Sequence, residues 1–174
     1  MAAGVAAVAI GGIWWRQVPH GRDPLARPDP PPDARWQRGE VVDGLYLADS
    51  PETVWAEWYR WLAEYGLPPE RALPRDLWQV EVELDQVADL RSPDALAAVG
   101  LGPPRPTRAD WPPFQAGGER LAADHSALIA PSAARPEGQV LCVFWPPRPP
   151  SRVEPAGRPQ TVSAAPVPPR GLRT

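Results

Sequence analysis

The sequence predicts an α+β fold: a single compact domain of mixed short strands and helices. Three observations point there. Residues 51–65 set Val54, Trp58, Trp61, Leu62 and Tyr65 along one helical face. Residues 78–84 alternate, with Trp78, Val80, Val82 and Leu84 opposite Gln79, Glu81 and Glu83, the pattern of a half-solvated strand. Residues 140–145 carry no charge and suit a central strand. Strands and helices mix along the chain without regular βαβ alternation. Its 174 residues suit one domain.

In chain order, Ile13-Trp14-Trp15-Arg16-Gln17-Val18 is rich in strand formers, after an uncharged N-terminal extension over 1–12. No basic residue precedes that apolar stretch, so a secretory signal is not expected. Residues 19–34, with three consecutive prolines at 30–32, are a loop. Residues 44–48 read as a short buried strand. Ser50 is placed to cap the helix over 51–65, Pro51 suits its first position, and Gly66 with Pro68 and Pro69 stops it. A short helix over 93–99 ends at Gly100, residues 103–113 are a Pro-broken loop, and a further helix spans about 113–123. Residues 127–130 are a candidate strand. Residues 146–174 hold nine Pro, five Arg and one acid, and their composition predicts a disordered tail or a polyproline ligand. The expected domain therefore spans 13–145.

Composition excludes several classes. One cysteine, Cys142, gives neither a disulfide framework nor a zinc site, and fits a reducing, cytoplasmic compartment. A net charge of −3 disfavours direct nucleic-acid binding, which rests on neutralising phosphates. No run of 18 apolar residues suggests a membrane span. All 18 basic residues are Arg, a bias that reflects base composition before it reflects function.

No phosphate loop, Gly-x-Ser-x-Gly elbow or paired His at metal spacing occurs. His20 and His125 lack neighbouring ligands and are expected at the surface or in loops, so no metal is expected. What remains is a set of polar residues in apolar surroundings. Arg16 follows two Trp on a strand, Tyr46 lies mid-strand, Glu57 sits in the Trp-rich helix, and Ser132 follows a strand and Pro131. Each also has a plain structural reading. Arg16 then faces solvent, Tyr46 fills the core, Glu57 pairs with Arg60 at i+3, and Ser132 caps a turn.

Several pieces, in order, resemble one known family. They are Trp15-Arg16, Arg35-Trp36 followed by Leu45-Tyr46-Leu47-Ala48, the segment from Ser50 to Glu57, Trp111-Pro112 with Gly118-Glu119, and Pro131-Ser132-Ala133. Together they resemble RES-domain proteins, named for a shared Arg, Glu and Ser. The family's usual Gly-Arg-Trp-Asn is Ala34-Arg35-Trp36-Gln37 here, and the stretch before Ser132 is longer than in compact members.

The resemblance implies a fold like that of ADP-ribosyltransferase toxins. It implies a toxin of a bacterial toxin–antitoxin pair that consumes NAD as its substrate, with a helix-turn-helix (Xre-type) antitoxin as partner. Hydrolysis, phosphorolysis and ADP-ribosyl transfer all remain open. Such chemistry needs a negative charge beside a developing oxocarbenium ion, which Glu57 among Trp55, Trp58 and Trp61 can supply. Arg16 and Arg35 are the candidates for the pyrophosphate, Tyr46 for an aromatic wall against nicotinamide, and Ser132 for the carboxamide or ribose. Glu57, Arg16 and Ser132 are the expected catalytic set. Two other functions compete: a non-catalytic interaction module using the Trp-rich face and the tail, and a glycosidase adding Asp43 or Asp49 as second carboxylate.

Overall fold

A computed structural model describes residues 4–174 of the chain. Six strands, β1 (Ala7–Pro19), β2 (Asp43–Ala48), β3 (Arg75–Asp89), β4 (Ala127–Pro131), β5 (Gln139–Trp145) and β6 (Arg152–Val162), alternate irregularly with α1 (Pro51–Tyr65), α2 (Pro93–Ala98) and α3 (Trp111–Leu121). The sheet runs β1-β2-β5-β4-β3-β6, and β1 also pairs with β3, so the sheet closes on itself. The β3–β4 pairing is parallel, and the other strand pairings are antiparallel. This is the α+β architecture the sequence predicts.

Strand β5 occupies the central place expected for an uncharged segment, between β2 and β4. Its Leu141 and Val143 join a core drawn from all six strands. Its Cys142 and Phe144 turn to the other side, into a second core with Leu96 of α2 and with Phe114 and Leu121 of α3. Burial pushes the Cys142 thiol up to about 12, so it is an inert core residue.

In β3 the expected alternation holds from Val80 to Leu84, then breaks. Gln86 adopts φ 57°, and the register with β1 shifts between Val8 and Ile10. The next buried residue is Val87, and beyond the break β3 pairs with β4. This irregularity is how one strand serves β6 along its first half and β4 along its last residues.

Helix α1 has the predicted bounds. The Ser50 hydroxyl accepts the Thr53 N–H, and Gly66 closes the helix at φ 61°, a left-handed conformation that glycine adopts without strain. Its buried face differs from the predicted stripe. Val54, Trp55, Trp58 and Leu62 pack with Ala48 and Leu77, while Trp61 and Tyr65 remain 38% and 53% exposed. The apolar stripe is wider than the contact, and its far edge turns to a cavity.

Both ends of the chain depart from expectation. Residues 7–12, expected as part of an extension, form the start of β1 and pair with β3; residues 1–3 lie outside the described residues. The segment expected to be a disordered tail contains β6, an edge strand on β3 whose Val153 enters the core. Proline suits an edge strand, whose outer face needs no ladder donors, so the prolines there do not prevent pairing. The tail's charges are used as well. Arg148 donates to the carbonyls of Ala122 and Ala123 at the end of α3, and Arg152 pairs with Glu83.

The histidines divide. His20 lies in an exposed loop and bonds Asp76 through Nδ1 at 2.9 Å. His125, expected at the surface or in a loop, lies in the turn after α3 but is buried, with Nδ1 3.1 Å from the Leu121 carbonyl. Among the described residues no helix is long and apolar enough to cross a membrane.

Candidate active site

Strands β1 and β2 share a single residue pair, Trp15 with Ala48. Beside that pair the Arg16 guanidinium donates through Nη1 to the Tyr46 carbonyl at 2.8 Å. A cavity of about 360 Å³ opens over this junction, within the usual size of small-molecule sites. Arg16 from β1, Arg35 from the preceding loop, Tyr46 from β2 and Glu57 from α1 all line it. Four of the five sequence-predicted site residues thus converge directly.

The fifth, Ser132, stands just behind. Its neighbours Pro131 and Ala133 line the cavity, while Ser132 itself is 1% exposed. Its hydroxyl accepts the N–H groups of Ala134 at 3.2 Å and Arg135 at 3.1 Å, which orients the remaining proton toward Glu57 Oε1 at 2.6 Å. The Ser132 hydroxyl, expected at the ribose or carboxamide, is here directed at Glu57.

Glu57 is tightly held but still reachable, its side chain 26% exposed. Oε1 accepts from Ser132 and, at 3.4 Å, from the Ala134 N–H; Oε2 accepts from Arg60 Nε at 2.9 Å. Burial alone would raise its pKa. The Arg60 charge and the hydrogen bonds from Ser132, Arg60 and Ala134 outweigh it and hold the carboxyl below the usual carboxylate range. Glu57 is an anion at neutral pH. Glu57 thus both pairs with Arg60 and lines the cavity.

The two arginines keep unused donors. Arg16 Nε and Arg35 Nη1 are buried without partners. Burial, reinforced by the like charges of Arg27 and Arg75, brings Arg16 down to about 10, so it remains a cation. Arg35 is fixed by its Nη2 bond to the Arg105 carbonyl at 2.5 Å and by the Phe114 ring 5.4 Å below its guanidinium. Burial, then the nearby Arg60 charge, lowers its pKa too. An unpaired buried guanidinium N–H costs free energy.

Tyr46 lines the cavity, and its hydroxyl serves the scaffold. The hydroxyl accepts the Trp36 N–H at 3.1 Å and donates to Gln37 Oε1 at 2.5 Å. This pins the Arg35-bearing loop, and Gln37, in the place of the family's usual Asn, is buried in that role. Helix α3 closes the same loop from behind. A Cβ on Gly118 would lie well under 3.0 Å from the Trp36 carbonyl oxygen, so this close approach requires glycine.

The predicted tryptophan surround is only partly realised. Trp55 and Trp58 belong to the core, whereas Trp15, Trp36, Trp61 and Trp111 line the cavity. Arg60 and Glu64 also line it. Their signal in the sequence is the i, i+3, i+7 spacing of Glu57, Arg60 and Glu64, one side of the helix that carries the carboxylate. The competing second carboxylates do not reach the cavity. Asp43 pairs with Arg27 at 2.5 Å, and Asp49 accepts from the Gln139 N–H at 3.0 Å. Among the described residues, no group of three or more His, Cys, Asp or Glu is arranged to hold a metal ion.

An anionic glutamate backed by a serine, facing arginines across an aromatic cavity, unites the Arg, Glu and Ser of the sequence resemblance in one site. The chain belongs to the RES-domain family, whose family match covers residues 13–164. Among solved structures it is similar to a chain in the crystal structure of the M. tuberculosis MbcT–MbcA toxin–antitoxin complex. The TM-score is 0.68 at 21% identity, covering 91% of this chain and 87% of that one, which establishes the shared fold. Comparison with curated proteins gives no match.

Proposed function

We propose that this RES-domain protein consumes NAD by cleaving its nicotinamide–ribose bond, as the toxin of a toxin–antitoxin pair. The observation that carries this reading is the state of Glu57: an anion, reachable from the cavity and fixed by three donor residues. When the C–N bond breaks, its electron pair leaves with nicotinamide, which departs neutral. Positive charge develops on the ribose, and a pre-positioned carboxylate stabilises it without reorganising. An acceptor oxygen from water, phosphate or a protein side chain then bonds to the ribose carbon, and any proton it carries passes to solvent.

The residues present fit such a substrate. The guanidinium cations of Arg16 and Arg35 line the cavity and suit a pyrophosphate, and Tyr46 is assigned to the nicotinamide side. Ser132 acts through Glu57 rather than on the substrate. The interaction-module alternative loses ground, because Trp55 and Trp58 are spent in the core and the proline-rich segment supplies a sheet strand. The similarity to a chain from a toxin–antitoxin complex supports a protein antitoxin, which we assign to the helix-turn-helix class, and a cytoplasmic site of action.

The test is to incubate the purified protein with NAD, with and without phosphate, and to follow nicotinamide and the ADP-ribose product. Nicotinamide release is expected, and the co-product identifies the acceptor. No release with any acceptor would contradict the proposal.

A further inference from the structure

Arg60 occupies a position that neither the named family residues nor the reaction itself accounts for. It lies one turn beyond Glu57 on α1, lines the cavity, and is largely buried, its side chain 15% exposed. Its guanidinium is divided between two carboxylates. Nε donates to Glu57 Oε2 at 2.9 Å, and Nη1 donates to Glu64 Oε2 at 3.1 Å. Glu64 in turn pairs through Oε1 with Arg108 Nε at 2.9 Å. Arg108 comes from the segment before α3, and its guanidinium lies 4.6 Å from the Trp111 ring centroid and 5.9 Å from that of Tyr65, both at the cavity wall. A continuous chain of alternating charges therefore runs from the cavity wall to Glu57.

We propose that Arg60 is the positioning residue for Glu57, fixing the carboxylate's charge and orientation from one side while Ser132 fixes them from the other. The role in turnover rests on the NAD-cleaving function proposed above; the role in setting Glu57 does not. The geometry favours this over a mere surface ion pair. A surface pair is solvated and contributes little, whereas here both partners are largely removed from water and each Arg60 arm has its own acceptor. The fork also restrains rotation, because Glu64 holds the second arm and leaves Nε aimed at Glu57. An ammonium would supply the charge without that two-point restraint. The other charged or donating groups acting on Glu57 are Arg35, which lies across the cavity, and the Ser132 hydroxyl and Ala134 N–H. None of these replaces the bond to Oε2.

The experiment follows Glu57 titration by carboxyl-carbon NMR in the full chain, as wild type, Arg60→Gln and Arg60→Lys, with nicotinamide release measured on the same samples. Arg60→Gln should raise the Glu57 midpoint by roughly one unit or more, because desolvation is then opposed only by the Ser132 side and the more distant Arg35 charge. The acid limb of kcat should move up with it, and kcat should fall roughly 10- to 100-fold while KM changes little. Arg60→Lys should restore most of the midpoint and only part of kcat. An unchanged Glu57 midpoint in folded Arg60→Gln would overturn the proposal, as would full kcat in that variant. If wild type releases no nicotinamide, the reaction is wrong, and the NMR midpoints alone still decide whether Arg60 sets the state of Glu57.

Discussion

Ser132 and Glu57 are 75 residues apart in the chain and 2.6 Å apart in space. No local pattern contains that contact, and only the family resemblance put both residues in one site. The Glu57–Arg60 pair, by contrast, was legible from i+3 spacing alone. The Ser132 hydroxyl points to Glu57 because its two lone pairs are already taken by backbone N–H groups, a detail of turn geometry that sequence does not display. Ser132→Ala removes a hydrogen bond to a charged, largely buried group, which typically costs about 1.5–3 kcal/mol. It should lower stability and raise the Glu57 pKa toward ordinary carboxylate values. The sign follows from the depressed native value. Ionised Glu57 contributes stability above its unfolded pKa, and that contribution is lost as pH falls through the native one. In the variant that loss should be smaller and complete at a higher pH, readable from thermal melts across the acid range, and the acid limb of kcat should rise in parallel.

Helix α1 was fixed at both ends by readable signals, the Ser50 cap and Gly66, and its bounds match. Its buried face did not follow, because an apolar stripe records which residues avoid water and not whether a core or a cavity covers them. Trp61 and Tyr65 went to the cavity side, and Trp55, off the predicted stripe, went to the core. Helix α3 illustrates a constraint that sequence alone leaves silent. Gly118 looks like a poor helix residue, yet it lets the Trp36 backbone come close and so seats the Arg35 loop. Gly118→Ala would improve intrinsic helix propensity. It should nevertheless destabilise the protein by about 1–3 kcal/mol through overpacking against backbone. Because the displaced loop carries Arg35, KM for NAD should rise more than kcat falls; thermal denaturation and steady-state kinetics check both parts.

At the scale of the molecule, the strand–helix mixture and the central β5 were legible, and the C-terminal segment was not. Proline-rich composition signals disorder when a segment must supply its own core, but β6 borrows one by adding to an edge of β3. Deleting 152–174 should therefore leave Val80 and Val82 poorly covered and lower the melting temperature by several degrees or more; a truly disordered tail would melt unchanged. The closed sheet, α1 and α3 together hold an anion in a cavity with two arginines, and we propose that anion as the catalytic group. The most direct measurement compares kcat and KM for NAD in wild type and Glu57→Gln, an isosteric change that keeps an acceptor for Ser132 while removing the charge. A fall in kcat of roughly 100-fold or more with KM nearly unchanged is expected of a carboxylate that acts in the transition state. Equal kcat in the two proteins would contradict it.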